Sequence, residues 1–145
     1  MNNQNDSKEI FTSGYNCCQT VLVKYCEEHG LDAHSALKIA SCFGGGMAKG
    51  HICGVVTGAL MVLGLNHGYV SNEAQEQKQI AKTYAKDLQD AFIKEFGTLH
   101  CKELLGCDTS TPEGKDEALK LGLFETKCPR YIEFTIEYLE EVLDS

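Results

Sequence analysis

The chain has 145 residues, 43% of them hydrophobic, which suffices for one buried core and sets the expectation of a single domain over residues 1–145. Its 13 basic and 21 acidic residues give a formal net charge of -8 with no cluster of Lys or Arg, so nucleic acid is not expected as a partner. No apolar run approaches the roughly 18 residues that membrane insertion needs, and the first ten residues, MNNQNDSKEI, lack the basic-then-apolar pattern of a secretory signal, so a cytoplasmic protein is expected.

Taken in order, the chain predicts a short helix from Asn5 to Thr12, stopped by Ser13 and Gly14. Asn16 caps the next, in which Val21, Leu22 and Tyr25 recur at helical spacing up to a stop at Gly30. Asp32 caps a third, with Ala36, Leu37, Ile39, Ala40 and Phe43 as its apolar positions. Gly44, Gly45 and Gly46 then mark a sharp bend, because glycine alone enters positive φ without steric cost. The bend delivers the chain to an apolar helix from Cys53 to Leu65, the expected centre of the fold. Its small residues Gly54, Gly58, Ala59 and Gly64 would let another helix approach closely. The longest helix is expected to start near Ser71 or Asn72 and end at Gly97, with Ala81, Tyr84, Ala85, Leu88, Phe92 and Phe96 on one stripe. Thr98 is read as the cap of a short helix closing at Gly106, and Ser110, Thr111 and Pro112 begin a weaker one. Pro129 opens the last helix, where Ile132, Ile136, Leu139 and Leu143 face inward. No strand-period alternation competes, so the fold class expected is all-α, a bundle of about five to seven helices around the Gly-rich apolar one.

Eight cysteines in so short a chain require a cause: Cys17, Cys18, Cys26, Cys42, Cys53, Cys101, Cys107 and Cys128. In a reducing compartment they point to metal binding or redox chemistry rather than to a disulfide framework. Cysteine is also a common core residue, so about half of them are expected to fill space. Cys17, Cys53, Cys101 and Cys128 fall in first helical turns, where free N–H groups and the helix dipole favour thiolate over thiol. Four converging thiolates also make a ligand set for an iron–sulfur cluster or zinc, although none of these four belongs to a CxxC pair.

The segments GYNCCQTVLVKY, FGGGM, CGVVTGALMVLGL, CKELLGCD and a late Cys-Pro resemble the redox-active protein family named for its C_GCAxxG_C_C cysteine signature. The resemblance spans residues 14 to about 130. It assigns the four signature cysteines to Cys17, Cys53, Cys101 and Cys128, and implies a redox role for them. This chain departs from the pattern in carrying Cys18 where a small residue is common, and in adding Cys26, Cys42 and Cys107.

Adjacent helical residues point about 100° apart, so Cys17 rather than Cys18 is assigned to the site, with Cys18, Cys26 and Cys42 assigned to packing. Cys107 can serve as a resolving thiol or an alternative ligand. His51 and His100, each beside a favoured cysteine, can complete a mixed ligand set or accept a thiol proton, although a surface imidazole is the commoner reason for such a residue. The three glycines are not a phosphate loop, since the Lys-Ser/Thr ending is missing, and the lack of CxxCH excludes covalent haem. Three functions stay open: a thiol-dependent oxidoreductase or electron-transfer protein with an unidentified redox partner, a metal or iron–sulfur module, and a helical accessory protein, in the form of a homodimer, with structural cysteines.

Overall fold

The structure is a computed structural model and describes residues 3–143, with side chains from residue 7 onward. Helix starts follow the capping chemistry of the sequence. After α1 (Asn3–Thr12), Asn16 accepts from the Gln19 N–H at 2.8 Å while the Gln19 side chain accepts from the Asn16 N–H at 3.0 Å, a reciprocal box that opens α2 (Cys17–Cys26). Asp32 caps α3 (Ala33–Ala40) through the Ser35 N–H. The apolar helix is α4 (Gly54–His67), and the longest is α5 (Gln75–Phe96), which begins a few residues later than expected. The short α6 (Cys101–Leu105) is preceded by His100 rather than capped by Thr98. The Thr98 hydroxyl accepts from the His100 N–H and donates to Glu103. Thr111 caps α7 (Pro112–Lys120), a single-turn α8 (Leu123–Thr126) lacks any sequence signal, and α9 (Cys128–Val142) carries Pro129 in its first turn. The fold is all-α, as expected, and seven of these helices have eight or more residues.

α4 is the central element, packed by α2, α5 and α9. Its small residues set the α2 distance. A Cβ built on Gly54 would lie 2.9 Å from the Cys18 backbone nitrogen, and one on Gly58 would lie 2.9 Å from the Cys18 carbonyl oxygen. Both are closer than side chains tolerate, so only glycine allows this approach. Gly64, grouped with them by sequence, has nothing within 4 Å and takes no part. The core they help to close includes Val21, Leu22, Val55, Val56, Val62, Leu88, Phe92, Ile136 and Leu139. On its far side α9 is pinned to α5 by aromatic edges, with Phe96 against Tyr131 at 4.8 Å and against Phe134 at 5.3 Å. Ile39 proves to be exposed, because α3 presents only Ala36 and Ala40 as fully buried residues.

The glycine bend is an unusual piece of backbone. Gly45, Gly46, Met47 and Ala48 all have φ between 59° and 64°, so the chain makes a left-handed turn that two non-glycine residues share. Such a conformation costs about 1–2 kcal/mol per L-residue. It brings Gly46 close to the His51 backbone, and a Cβ there would lie 3.0 Å from the Cys101 Cβ. No helix of the described residues is long and apolar enough to cross a membrane.

Candidate functional site

Four helix starts meet at one place in the bundle. Cys17, Cys101 and Cys128 are the first residues of α2, α6 and α9, and Cys53 immediately precedes α4. Two of them are joined through backbone. Ile52 and His100 form a short antiparallel bridge, in which the Cys53 N–H donates to the Leu99 carbonyl at 2.8 Å and the Cys101 N–H donates to the His51 carbonyl at 2.6 Å. The left-handed turn closes onto the same clip through the His51 N–H, which donates to the Gly46 carbonyl at 3.0 Å. Gly54 then seats the start of α2 against α4, with the Cys17 Cβ only 3.3 Å from where a Gly54 Cβ would stand. The fourth helix is fixed by Tyr131, whose hydroxyl donates to the Leu104 carbonyl of α6 at 2.9 Å, beside Lys127 Nζ on the same oxygen at 3.3 Å.

The sulfurs so gathered sense one another electrostatically. Cys17 interacts with Cys128, Cys53 and Cys101, Cys53 with Cys101 and Cys128, and Cys101 with Cys128. Cys53, Cys101 and Cys128 are 4%, 9% and 6% exposed, so ionising any of them means placing charge in a poorly solvated site, while Cys17 is half-buried.

That burial corrects the expectation that every helix start would favour thiolate. Burial pushes the Cys53 thiol up to about 12 against the N–H groups of Val55 and Val56, which favour its thiolate. Cys101 is pushed up to about 11, again by burial first and then by Cys128, although Thr109 hydrogen-bonds to it and opposes the shift. Desolvation outweighs the helix-start field at both. Cys128 alone of the four is held below the ordinary thiol value, first by a hydrogen bond from Cys17 and then by its own backbone N–H, against burial. Cys17 is raised well above that value, first because it is the donor in that bond, then by burial and by repulsion from the other three sulfurs. Cys17 and Cys128 therefore titrate as a pair, in which Cys128 is the more acidic member.

The other candidates lie apart from this cluster. Cys18 and Cys26 are fully buried, Cys18 with its sulfur 4.0 Å from Met61 Sδ. Cys42, expected in the core, is exposed, because the turn at Ser41–Phe43 directs it outward. Cys107 is buried, and its thiol faces Glu117 rather than the four sulfurs. His51 is exposed and joins the site through its backbone, while the His100 ring pairs with Glu103 at 3.0 Å. Neither is a thiol partner. Among the described residues, no group of three or more His, Cys, Asp or Glu side chains is placed to hold a metal ion. Nothing in the residues around Thr109 marks it as part of a site. Tyr131 had a weak one, since it lies three residues after Cys128 and therefore on the same helical face.

A family model described as "Putative redox-active protein (C_GCAxxG_C_C)" matches residues 15–142, and the chain belongs to that family. Neither a curated protein nor a solved structure matches it.

Proposed function

Taking that membership as the premise, we propose that the protein is a thiol–disulfide oxidoreductase whose working pair is Cys17 and Cys128, with Cys53 and Cys101 as a buried reserve of thiols behind it. The observation that carries this reading is the adjacency of Cys17 and Cys128, the first residues of α2 and α9, where the Cys17 thiol lies close enough to favour ionisation of Cys128. It makes Cys128 the more readily ionised sulfur of the two and leaves its neighbour protonated and adjacent, the arrangement that attack and resolution require.

The reaction runs against an organic disulfide. The Cys128 thiolate attacks one sulfur of R–S–S–R′. The S–S bond breaks, and R′–S⁻ departs with the proton of Cys17. The Cys17 thiolate then attacks the Cys128 sulfur of the mixed disulfide, releasing R–S⁻, which takes a proton from water. Two protein thiols are oxidised, one disulfide is reduced to two thiols, and Cys17 and Cys128 end joined. The left-handed turn and the Ile52–His100 bridge act as a rigid back wall that holds Cys101 and Cys53 in register with the pair.

The test is to trap the intermediate. In a Cys42→Ser background, which removes the exposed thiol, Cys17→Ser treated with 2-hydroxyethyl disulfide should stop at a stable mixed disulfide on Cys128, read by intact and peptide mass. Failure to find that adduct, with the adduct forming elsewhere or not at all, would overturn the assignment.

A further inference from the structure

An open groove of about 870 Å³ lies between α1, α7, α8 and the start of α9. Phe11, Tyr15 and Phe124 line its apolar part, and Lys8 and Lys115 stand among its lining residues with one carboxylate, Glu125. The groove is built against the two chain segments that carry the proposed pair. Pro129, directly after Cys128, forms part of its wall, and Tyr15 lies two residues before Cys17.

We infer that this groove seats the oxidant of the Cys17–Cys128 pair, and that the oxidant is a small acidic disulfide whose thiol halves carry carboxylates. The inference rests on the dithiol reaction proposed above and names its substrate class. Size favours a small molecule, since the volume falls within the 300–1,000 Å³ usual for such sites. Aromatic rings suit a disulfide, because sulfur makes favourable contacts with aromatic edges. Charge selects the acidic class. On a chain of net charge -8, this groove has two ammonium groups against one carboxylate, and neither Lys8 nor Lys115 has a carboxylate partner among the described residues. Neither cysteine lines the groove, and Cys128 is buried directly behind Pro129, so a disulfide lying over the aromatic rings with its carboxylates on the lysines reaches it past that residue at the start of α9. There Cys128 attacks one sulfur, and one acidic disulfide leaves as two acidic thiols.

The test compares rates of thiol loss in the Cys42→Ser protein with oxidised glutathione, which is acidic, with cystamine, which is cationic, and with neutral 2-hydroxyethyl disulfide, at low ionic strength. The variant is Lys8→Glu/Lys115→Glu, which changes two exposed side chains. Taking the glutathione-to-cystamine rate ratio within each protein cancels the intrinsic reactivities of the two reagents. That ratio should fall by roughly tenfold or more in the variant and the difference should shrink with added salt, as expected of charge steering. A ratio unchanged within about twofold while the pair still oxidises would overturn the groove assignment and leave the dithiol reading standing. Absence of thiol loss with all three reagents would overturn both.

Discussion

Replacing Gly58 by alanine tests whether the close approach of α2 to α4 is a requirement of the fold. An added methyl would stand 2.9 Å from the Cys18 carbonyl oxygen, 3.2 Å from its Cα and 3.2 Å from the Val21 Cβ, where ordinary contact begins near 3.4 Å. Two of those neighbours are backbone, so the helices themselves must part by roughly half an ångström. Overpacking of this kind costs about 1–3 kcal/mol, against a gain of about 1 kcal/mol from alanine's higher helix propensity. Net destabilisation of about 1 kcal/mol follows, or roughly 4 °C in Tm for a chain of this size. Gly64→Ala is the matched comparison. It lies in the same helix with nothing within 4 Å, so only the propensity term applies, and the variant should gain about 0.5–1 kcal/mol. Urea denaturation of the two proteins beside wild type reads the difference. Equal shifts in the same direction would refute the packing argument.

Alkylation of Cys128, followed against pH by peptide mass, should show it titrating below the ordinary thiol range, and Cys17→Ala should move that titration upward by removing the donor that favours the thiolate. Stability should fall in alkali: Cys53 and Cys101 keep their protons up to about 12 and 11 when folded but lose them near 9 when unfolded. The contribution is therefore complete below 9 and is lost between there and the folded values, at about 1.4 kcal/mol per pH unit per thiol. Cys53→Ala should be shallower by one such slope, and identical slopes would contradict the burial assigned to this thiol. Asn16→Ala removes the acceptor for the Gln19 N–H and donors to the Ala40 and Ser41 carbonyls, and should cost about 1–2 kcal/mol in the same urea assay. A loss below about 0.3 kcal/mol would show that the cap does not anchor α2.

The local chemistry of this chain is legible because it acts over a few residues. Asn16, Asp32 and Pro129 mark helix starts through hydrogen bonds or fixed φ that need no tertiary information, and Gly97 ends α5 in the left-handed conformation expected of it. Packing is legible only in part. Gly58 and Gly64 carry the same signal in the sequence, yet only Gly58 meets a helix, because which turn of α4 faces α2 is set by the whole bundle. Cys42 shows the same limit, since an apolar residue in the last turn before a bend can face either way. The site combines both cases. The positions of its cysteines at helix starts are local, but their meeting depends on the Ile52–His100 bridge, on the Gly54 contact and on Tyr131 reaching Leu104, each linking residues far apart in the chain. The left-handed turn was marked by its glycines, but nothing in Met47 or Ala48 announced positive φ, a conformation both residues disfavour.

The most direct measurement is a thiol count joined to a disulfide map. Anaerobically reduced Cys42→Ser protein is titrated with 2-hydroxyethyl disulfide, quenched with an alkylating reagent and digested. Two thiols should disappear together and the first linked peptide should join Cys17 to Cys128, as the proposed pairing requires. A protein that keeps all its thiols, or one whose first disulfide excludes Cys128, would contradict it.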